Sequence, residues 1–270
     1  MESFSETAPV LDTRETNPAA RPAAHWDASF QEQVTGGVNK TWLLHVGGSF
    51  LDVPTTSIFY KTIETMLHTG ITGGCTDARH YCPSDPVTRG AMAIFIAKGI
   101  AGGGANVPAS GQVAGIDYNC AAVGGISIYV DVKPTDPFCK HVHYIVAQNV
   151  AQGTDATHFQ PAGIVDRGSM AIFVAKAMVA PNGGNAIPKV YGPDPITHVS
   201  YNCNTFGTLI QFSDVKPTDP FCKHVMFLFA HGIVAGVTPL TYQPATVVTR
   251  DQMAKFLTNA FSLLLYGPQN

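Results

Sequence analysis

The stretch Phe212–Phe261, FSDVKPTDPFCKHVMFLFAHGIVAGVTPLTYQPATVVTRDQMAKFLTNAF, decides the fold because two other segments of the chain repeat its skeleton. The second copy opens at Tyr129 with YVDVKPTDPFCKH and closes with VDRGSMAIFVAKAM at Met178. A more diverged first copy opens at Phe50 with FLDV and closes with VTRGAMAIFIAKGI at Ile100. The sequence therefore predicts three copies of one structural unit.

The spacing inside the copies supports this reading. The opening Asp and the closing Arg are 37, 36 and 36 residues apart in the pairs Asp52/Arg89, Asp131/Arg167 and Asp214/Arg250. A constant interval is typical of repeats that stack on one another and bury a shared core. We therefore expect one compact body rather than three separate beads.

Each copy is predicted to form a helix, a loop and a second helix. In the third copy, Asp219 and Pro220 favour a helix start, and Gly232 follows an apolar run and favours its end. The apolar positions of the second helix recur at i, i+3, i+4 and i+7. A Thr or Asp is placed to cap that helix in every copy, at Thr88, Asp166 and Thr249.

The motifs F-x-D-V, G-I-x-x-G and V-T-R, in this threefold register over roughly residues 50–261, resemble the S-layer homology domain family. That family usually carries three tandem repeats, which pack as a pseudo-threefold helical spindle at bacterial cell surfaces. The resemblance implies a mainly α fold with minor β structure, and a spindle of three helix-loop-helix units.

The resemblance also implies a binding site. In the family, grooves between adjacent repeats bind cell-wall polysaccharide, often a pyruvylated sugar, and the Arg of the closing motif is a principal contact. Carried over by position, the implied glycan-binding residues are Arg89, Arg167 and Arg250, with Asp52, Asp131, Asp214, Gly74, Gly153 and Gly236 lining the grooves. Copy two has Asn149-Val150 where the others have Gly-Ile, and Asp166 where they have Thr, so we expect its groove to differ.

A structural role for the same side chains remains open beside the binding role. An Arg in the first turn of the second helix could pair with an opening Asp and lock the spindle. The Asp could instead accept backbone N–H groups and favour a local turn. These roles do not exclude glycan binding.

A short β-hairpin is predicted before each copy. Connections 101–128 and 179–211 are too long for bare loops. Within them GIDYNCAAVGGISIYVDV and HVSYNCNTFGTLIQFSDV both read as strand, turn, strand. Before copy one, KTWLLHVGGSFLDV is predicted to form a hairpin with Gly47-Gly48 at its turn.

The six cysteines fit three local disulfides. Cys120 and Cys139 are 19 residues apart, and Cys203 and Cys222 repeat that interval with the same flanking residues. Cys75 and Cys82 then close the loop of copy one. Three disulfides indicate an oxidising compartment, and each would stabilise the fold by about 2–4 kcal/mol.

Metal binding is the competing reading of the cysteines and histidines. The candidate ligands include Cys139, His141, His143, Cys222 and His224. No C-x2-C pair and no acidic calcium loop occurs, so we expect no metal. His141 and His224 are expected to lie on a helix surface with local hydrogen bonds.

Composition excludes several function classes. With 45% hydrophobic and 13% charged residues the chain can bury a core. Its net charge of -3 and the absence of a Lys/Arg run argue against nucleic acid. The apolar runs are shorter than the roughly 18 residues of a membrane span, and the N-terminus does not resemble a signal peptide. Known catalytic motifs are missing, so we expect neither an enzyme nor a cofactor.

These observations predict a non-catalytic, secreted cell-surface protein that binds cell-envelope polysaccharide. The expected organisation is an extended arm at 1–38, followed by a hairpin with a repeat at 39–100, 101–178 and 179–270. The alternative is a self-assembling subunit of a surface layer or filament, in which residues 1–38 contact lattice neighbours or another copy of the chain.

Overall fold

The structure, a computed structural model, describes residues 47–75, 77–204 and 209–265 in full. Outside these ranges it describes the backbone of four strands: Ser3–Ser5, Trp26–Gln33, Lys40–Val46 and Gly267–Gln269. Helices dominate the described residues and the strands are short, which confirms the mainly α fold with minor β structure.

Two helices in each copy carry the fold. They are α1 (Tyr60–His68) and α2 (Arg89–Ala101) in copy one, α3 (Cys139–Ala147) and α4 (Arg167–Met178) in copy two, and α5 (Cys222–Ala230) and α6 (Arg250–Ala260) in copy three. Short 3-10 helices follow α2 and α4 at Gly104–Asn106 and Gly183–Ala186. In the part of the chain that the structure describes, no helix has the length and apolar character that crossing a membrane requires.

Helix capping follows the sequence in two copies and departs from it in the third. The Thr88 hydroxyl and the Asp166 carboxylate accept the backbone N–H three residues on, at 3.2 and 2.7 Å. Thr249 is the N-cap residue of α6 as predicted, but its hydroxyl bonds the carboxylate of Asp251, and that carboxylate accepts the N–H of Gln252 in its place. The other copies have glycine at the position of Asp251, so no side chain competes for their caps.

The main helix pairings join different copies. The second helix of each copy packs on the first helix of another copy, in the pairs α2 with α3, α4 with α5 and α6 with α1. The second helices α2, α4 and α6 also contact one another. Met92, Met170 and Met253, at the same position of these three helices, are completely buried.

Backbone hydrogen bonds join the three copies in a closed cycle just before the second helices. The N–H of Val87 donates to the carbonyl of Val248, Val248 donates to Val165, and Val165 donates to Val87, at 2.9, 3.0 and 2.9 Å. All three valines are buried. A buried backbone N–H needs a partner, and here each copy supplies the partner of another.

The first N–H groups of the second helices are also satisfied by other copies, in the opposite order around the cycle. A helix leaves its first four N–H groups without an intrahelical acceptor. The N–H of the closing Arg donates to a loop carbonyl of another copy in the pairs Arg89/Gly163, Arg167/Thr246 and Arg250/Asp85, at 2.8 to 3.0 Å. Each second helix therefore begins on a loop of a neighbouring copy.

The connections between copies contain hairpins, but not at the predicted turns. Strand β4 (Ser110–Val113) pairs with β5 (Ile116–Asn119), and β6 (Val190–Tyr191) with β7 (Tyr201–Asn202). The strand that contains each Tyr-Asn pair thus joins residues that precede it. Of the predicted pairing with the following residues, the first connection has a bridge between Asn119 and Ile126, and the second has a hydrogen bond from the N–H of Asn202 to the carbonyl of Leu209; residues 205–208 between them lie outside the described residues.

The reason for the position of the turn is clearest between β4 and β5. Ala114 and Gly115 both have positive φ, 50° and 80°, and this conformation closes a two-residue hairpin with the twist that paired strands prefer. The sequence prediction placed the turn after the cysteine and missed this Ala-Gly pair.

The hairpin predicted around Gly47-Gly48 is wrong. Strand β3 (Lys40–Val46) pairs with β2 (Trp26–Gln33), which precedes it, in a sheet of order β1-β2-β3-β8. Strands β1 (Ser3–Ser5) and β2 fall within residues 1–38, and β8 is Gly267–Gln269. The rest of the arm predicted at 1–38 lies outside the described residues, and its extended form stays a prediction.

All three predicted disulfides are bonded. Cys120 follows β5 and joins Cys139, the first residue of α3; Cys203 follows β7 and joins Cys222, the first residue of α5. Cys75 and Cys82 close the loop between α1 and α2. A disulfide-tied hairpin therefore precedes copies two and three, whereas the bond of copy one lies inside the repeat.

Candidate functional site

The opening aspartates each bind the backbone of the loop in their own copy. Asp131 accepts the N–H of Phe159 at 2.9 Å and of Gln160 at 2.7 Å, one with each carboxylate oxygen. The same pairs of bonds occur from Tyr81 and Cys82 to Asp52, and from Tyr242 and Gln243 to Asp214. The second loop residue of each pair has a φ near +57°. A charged acceptor for two N–H groups holds the loop in this conformation.

The closing arginines bind the same loops from a neighbouring copy. Arg250 donates from Nε to the carbonyl of Tyr81 at 2.8 Å and from Nη2 to the carbonyl of Gly74 at 3.1 Å. Its guanidinium also lies over the Tyr81 ring, 4.8 Å from the centroid. Arg89 makes similar bonds to Phe159 and Gln152, and Arg167 to Tyr242 and Ala235, where the Nη2 acceptor is the residue before the loop glycine.

Aspartate and arginine therefore meet through the loop backbone rather than directly. The N–H of Tyr81 goes to Asp52 of its own copy, and its carbonyl accepts from Arg250 of copy three. Among the described residues, no ion pair within 4.0 Å joins these arginines to the opening aspartates. The direct Arg–Asp pairing considered from sequence does not form there, whereas the backbone role of the aspartates does.

The loop glycines are required by close packing of the loop on itself. A Cβ at Gly74, whose φ is +113°, would lie 2.1 Å from the carbonyl oxygen of Asp77. At Gly153 and Gly236 it would lie 2.3 and 2.1 Å from the carbonyl oxygens of Asp155 and Thr238. No side chain fits at such distances. Glycine therefore lets the loop backbone stay in the position where Nη2 of the arginine binds its carbonyl.

The groove at Arg250, between copies three and one, contains a cavity. A cavity of about 220 Å³ lies between the loop at 71–75, α2 and Arg250, and Lys98 also lines it. Ala91 stands at its wall, where its small side chain leaves space. The groove thus combines two cationic groups with the carbonyl-rich glycine loop.

The three inter-copy positions are not equivalent. Arg167 is 7% exposed, whereas Arg89 and Arg250 are half-buried. The position of Lys98 on α2 is occupied by Lys176 on α4 and by Asn259 on α6. Asn259 donates its amide to the carbonyl of Ile233 at 3.2 Å. Of the three, the position of Arg167 is therefore the least accessible and has one cation fewer.

Asn149, expected to alter copy two, keeps the geometry of the other copies. Its φ is +56°, against +74° at Gly70 and +70° at Gly232. Asn tolerates this left-handed conformation, and its amide donates to the carbonyl of Pro181 at 3.0 Å. The substitution preserves the loop, and the accessibility of the arginines distinguishes the grooves instead.

Burial lowers the pKa of the Arg89 and Arg167 guanidinium groups from their ordinary value. Arginine starts so far above neutrality that both remain charged. Their partial desolvation strengthens any contact with an anion, because the local dielectric constant is lower than in water.

The histidines of the Phe-Cys-Lys-His motif lie in the interior. His141 and His224 were expected on a helix surface, but each is only 5% exposed. Nδ1 of His141 lies 3.1 Å from the carbonyl of Pro137. Sequence reasoning missed their burial because the packing of α2 on α3 and of α4 on α5 covers them.

A single cluster among the described residues has the composition of a metal site. Cys120, Cys139 and His143 bring their ligand atoms within 4.8 Å of one another. Both sulfurs are joined in a disulfide, so the thiolates that a metal would need are not formed.

The sequence model of the S-layer homology domain matches residues 128–171 and 211–254. These ranges contain the opening Asp, the glycine loop and the closing Arg of the second and third copies. No curated protein matches the chain.

Proposed function

We propose that this chain, which the sequence model of the S-layer homology domain matches at residues 128–171 and 211–254, binds cell-envelope polysaccharide in grooves between its repeats. Domains of this family generally bind cell-wall polysaccharide and anchor proteins at cell surfaces, and they bind rather than catalyse. In this proposal the protein is secreted and acts at the cell envelope.

We further propose that copy one is a third repeat, and that the three repeats form a pseudo-threefold spindle. Copy one has the same helices, aspartate bonds and glycine loop as the matched copies. The closed cycle through Val87, Val165 and Val248 supports this arrangement.

The observation that carries the binding proposal is the presence of Arg250 and Lys98 in one groove. Arg250 uses Nε and Nη2 for the loop, and a guanidinium has five N–H donors. Its remaining donors suit a carboxylate, which arginine binds with two parallel hydrogen bonds. The preferred ligand is therefore an acidic sugar, such as a pyruvylated one.

We rank the grooves by access and charge. The grooves of Arg250 and Arg89 have half-buried arginines, with Lys98 and Lys176 at the equivalent helix position. The groove of Arg167 has the buried arginine and Asn259. Two competent sites per chain follow from this ranking.

The test is co-sedimentation of the purified chain with isolated cell-wall glycan. Replacing an arginine also removes two loop hydrogen bonds, so the lysines give the cleaner variants. We expect Lys98→Ser with Lys176→Ser to weaken binding by about tenfold, the scale of one lost charged contact. The control Lys133→Ser with Lys255→Ser removes the same two charges from exposed positions and should leave binding unchanged.

Binding that survives both the double lysine variant and a folded Arg89→Ala, Arg167→Ala, Arg250→Ala variant would exclude the grooves. Electron microscopy without glycan tests the alternative function. Ordered sheets or filaments of the protein alone, with no glycan binding, would favour a self-assembling subunit that uses residues 1–38 for contacts.

A further inference from the structure

The two duplicated disulfides occupy the same place in the fold but have different neighbours. Cys120–Cys139 and Cys203–Cys222 each tie the end of a hairpin to the first residue of a helix. Four residues into the helix, copy two has His143 and copy three has Met226. The chain therefore contains a matched pair of disulfides, one with a histidine beside it and one without.

His143 contacts both sulfurs of its disulfide. Nδ1 lies 3.9 Å from Sγ of Cys120 and 3.7 Å from Sγ of Cys139. The ring is completely buried and stacks on Tyr118, with centroids 4.7 Å apart. This packing holds the ring in one orientation.

The hydrogen bonds of the ring place its proton on the side of the sulfurs. Nε2 accepts the backbone N–H of Ile128 at 3.1 Å, so Nε2 carries the lone pair and Nδ1 the hydrogen. Nδ1 also lies 2.8 Å from the carbonyl of Cys139, which suits a donor. Burial lowers the pKa of His143, so this neutral form persists at physiological pH.

The sulfur of Cys120 is the accessible one. A cavity of about 370 Å³ is lined by Cys120, Thr135, Asp136 and Lys140. Cys120 is half-buried and Cys139 is completely buried. A similar cavity of about 310 Å³ adjoins Cys203 and Lys223. Cys203 is only 5% exposed, so the two disulfides differ in the exposure of this cysteine as well as in the histidine.

We propose that Cys120–Cys139 is a thiol-exchange site for small thiols, with His143 as the positioning donor. An incoming thiolate attacks Sγ of Cys120, and a new sulfur–sulfur bond forms between them. The Cys120–Cys139 bond breaks, and its electron pair leaves on Sγ of Cys139 as a thiolate. A second thiol can then attack the mixed disulfide, releasing Cys120 and the oxidised small thiol.

Two groups stabilise the departing thiolate of Cys139. It stands at the N-terminus of α3, where backbone N–H groups favour negative charge. The Nδ1–H of His143, which donates to the Cys139 carbonyl in the intact disulfide, lies 3.7 Å from this sulfur and in our proposal is shared with the thiolate as it forms. Cys222 has only the helix terminus, and a better-stabilised leaving thiolate departs faster. The tautomer also favours this role over a metal site, because no nitrogen lone pair faces the sulfurs.

The experiment exposes the folded chain to reduced glutathione and follows each disulfide by differential alkylation and mass spectrometry. We expect Cys120–Cys139 to open roughly three- to tenfold faster than Cys203–Cys222. The glutathione adduct should form on Cys120. Equal rates for the two disulfides, or an adduct on Cys139, would overturn the proposal.

The matched variants separate the histidine from simple exposure. His143→Met should lower the rate of Cys120–Cys139 while the exposure of Cys120 stays the same, and Met226→His should raise the rate of Cys203–Cys222. An unchanged rate of Cys120–Cys139 in His143→Met would contradict the role of the histidine. If that variant fails to fold, Met226→His decides the question, since an unchanged rate there rejects the proposal.

A zinc titration distinguishes thiol exchange from the alternative, a metal site. The reduced chain is titrated with Zn²⁺ in competition with a chromophoric chelator. Tight binding that His143→Met abolishes would show a metal site instead and overturn thiol exchange. The proposal does not depend on glycan binding.

Discussion

At the scale of single residues, the opening aspartates hold loops that lie 28 to 30 residues further along the chain. Each carboxylate accepts two N–H groups of a loop whose next carbonyl accepts from an arginine of another copy. The aspartate thereby places the carbonyl that the arginine binds. Loss of one carboxylate should loosen both the loop and the contact between copies.

We predict that Asp131→Ala lowers the free energy of unfolding by roughly 2–4 kcal/mol, the range expected for two hydrogen bonds to a half-buried charge. Urea unfolding measures it. The control Asp117→Ala removes an exposed carboxylate whose acceptor role is limited to the Gln112 side chain, and should change stability by less than about 0.5 kcal/mol. Equal effects of the two variants would contradict the structural role of Asp131.

The buried histidines predict acid sensitivity. Burial, with the neighbouring Lys140 and Lys98, lowers the pKa of His141 from 6.5 to about 4; burial with Lys223 and Lys176 does the same for His224. The unfolded chain therefore takes up protons near pH 6.5, and the folded chain only near pH 4. Stability is then full above pH 6.5 and falls as the pH drops from 6.5 to 4.

We expect His141→Leu with His224→Leu to reduce this loss by roughly half, because leucine has no charge to gain. Urea unfolding at pH 7 and pH 4.5 measures the change. The control His198→Asn replaces an exposed histidine and keeps a residue that tolerates its φ of +58°. A double variant with the same pH dependence as the wild type would show that these histidines do not control acid stability.

At the scale of the elements, the loop of copy one has two adjacent glycines, of which one has no room for a side chain and the other does. A Cβ at Gly74 meets the carbonyl oxygen of Asp77 at 2.1 Å with a positive φ, whereas a Cβ at Gly73 meets nothing within 4 Å. The loop is further closed by Cys75–Cys82, so it has little room to rearrange.

We therefore predict that Gly74→Ala lowers stability by more than about 2 kcal/mol, because backbone must move to relieve the contact. Gly73→Ala should be neutral or stabilising by up to about 1 kcal/mol, since alanine restricts the unfolded chain. Thermal unfolding compares the two variants. Similar melting temperatures would mean that the loop does not have this packing.

The helices and disulfides were accessible to sequence reasoning because their signals are local or duplicated. Asp-Pro starts, the caps at Thr88 and Asp166, and the repeated interval of 19 residues between cysteines need no knowledge of tertiary contacts. The side-chain cap at Thr249 does not form because the Asp251 carboxylate accepts the backbone N–H that the hydroxyl would have accepted. The positions of the hairpin turns were predicted wrongly because each strand has possible partners on both sides in the chain, and the sequence does not show which of them it joins.

The site was predictable only by residue type. Arg89, Arg167 and Arg250 stand out in the repeat, but their acceptors lie 63 to 176 residues away in the chain. Which copy supplies those acceptors depends on the order in which the repeats pack. The contact of His143 with a disulfide likewise needs the ring orientation that Tyr118 and Ile128 impose.

At the scale of the whole molecule, each copy depends on other copies for some of the hydrogen bonds and packing of its own helices. The second helices take their first acceptors from neighbouring loops, and Arg250 returns from copy three to the loop of copy one. Helix α6 also packs on α1, at opposite ends of the chain. Removing one copy leaves unsatisfied N–H groups and exposed apolar surface in both others. The free-energy cost of this exposure would exceed the small net stability of a comparable domain.

We predict that the chain unfolds in one cooperative transition, and that a fragment of residues 47–178, which lacks copy three, does not fold. Calorimetry should give equal calorimetric and van't Hoff enthalpies for the whole chain. The fragment should lack the near-ultraviolet circular dichroism of packed aromatic residues, because α1 has lost α6 and the valine cycle is broken. The disulfides of copies one and two are kept oxidised in the fragment, so that its unfolded chain does not gain entropy from their reduction. A folded fragment, or separate transitions in the whole chain, would mean that each repeat is stable alone and that the cycle of contacts adds little to the fold.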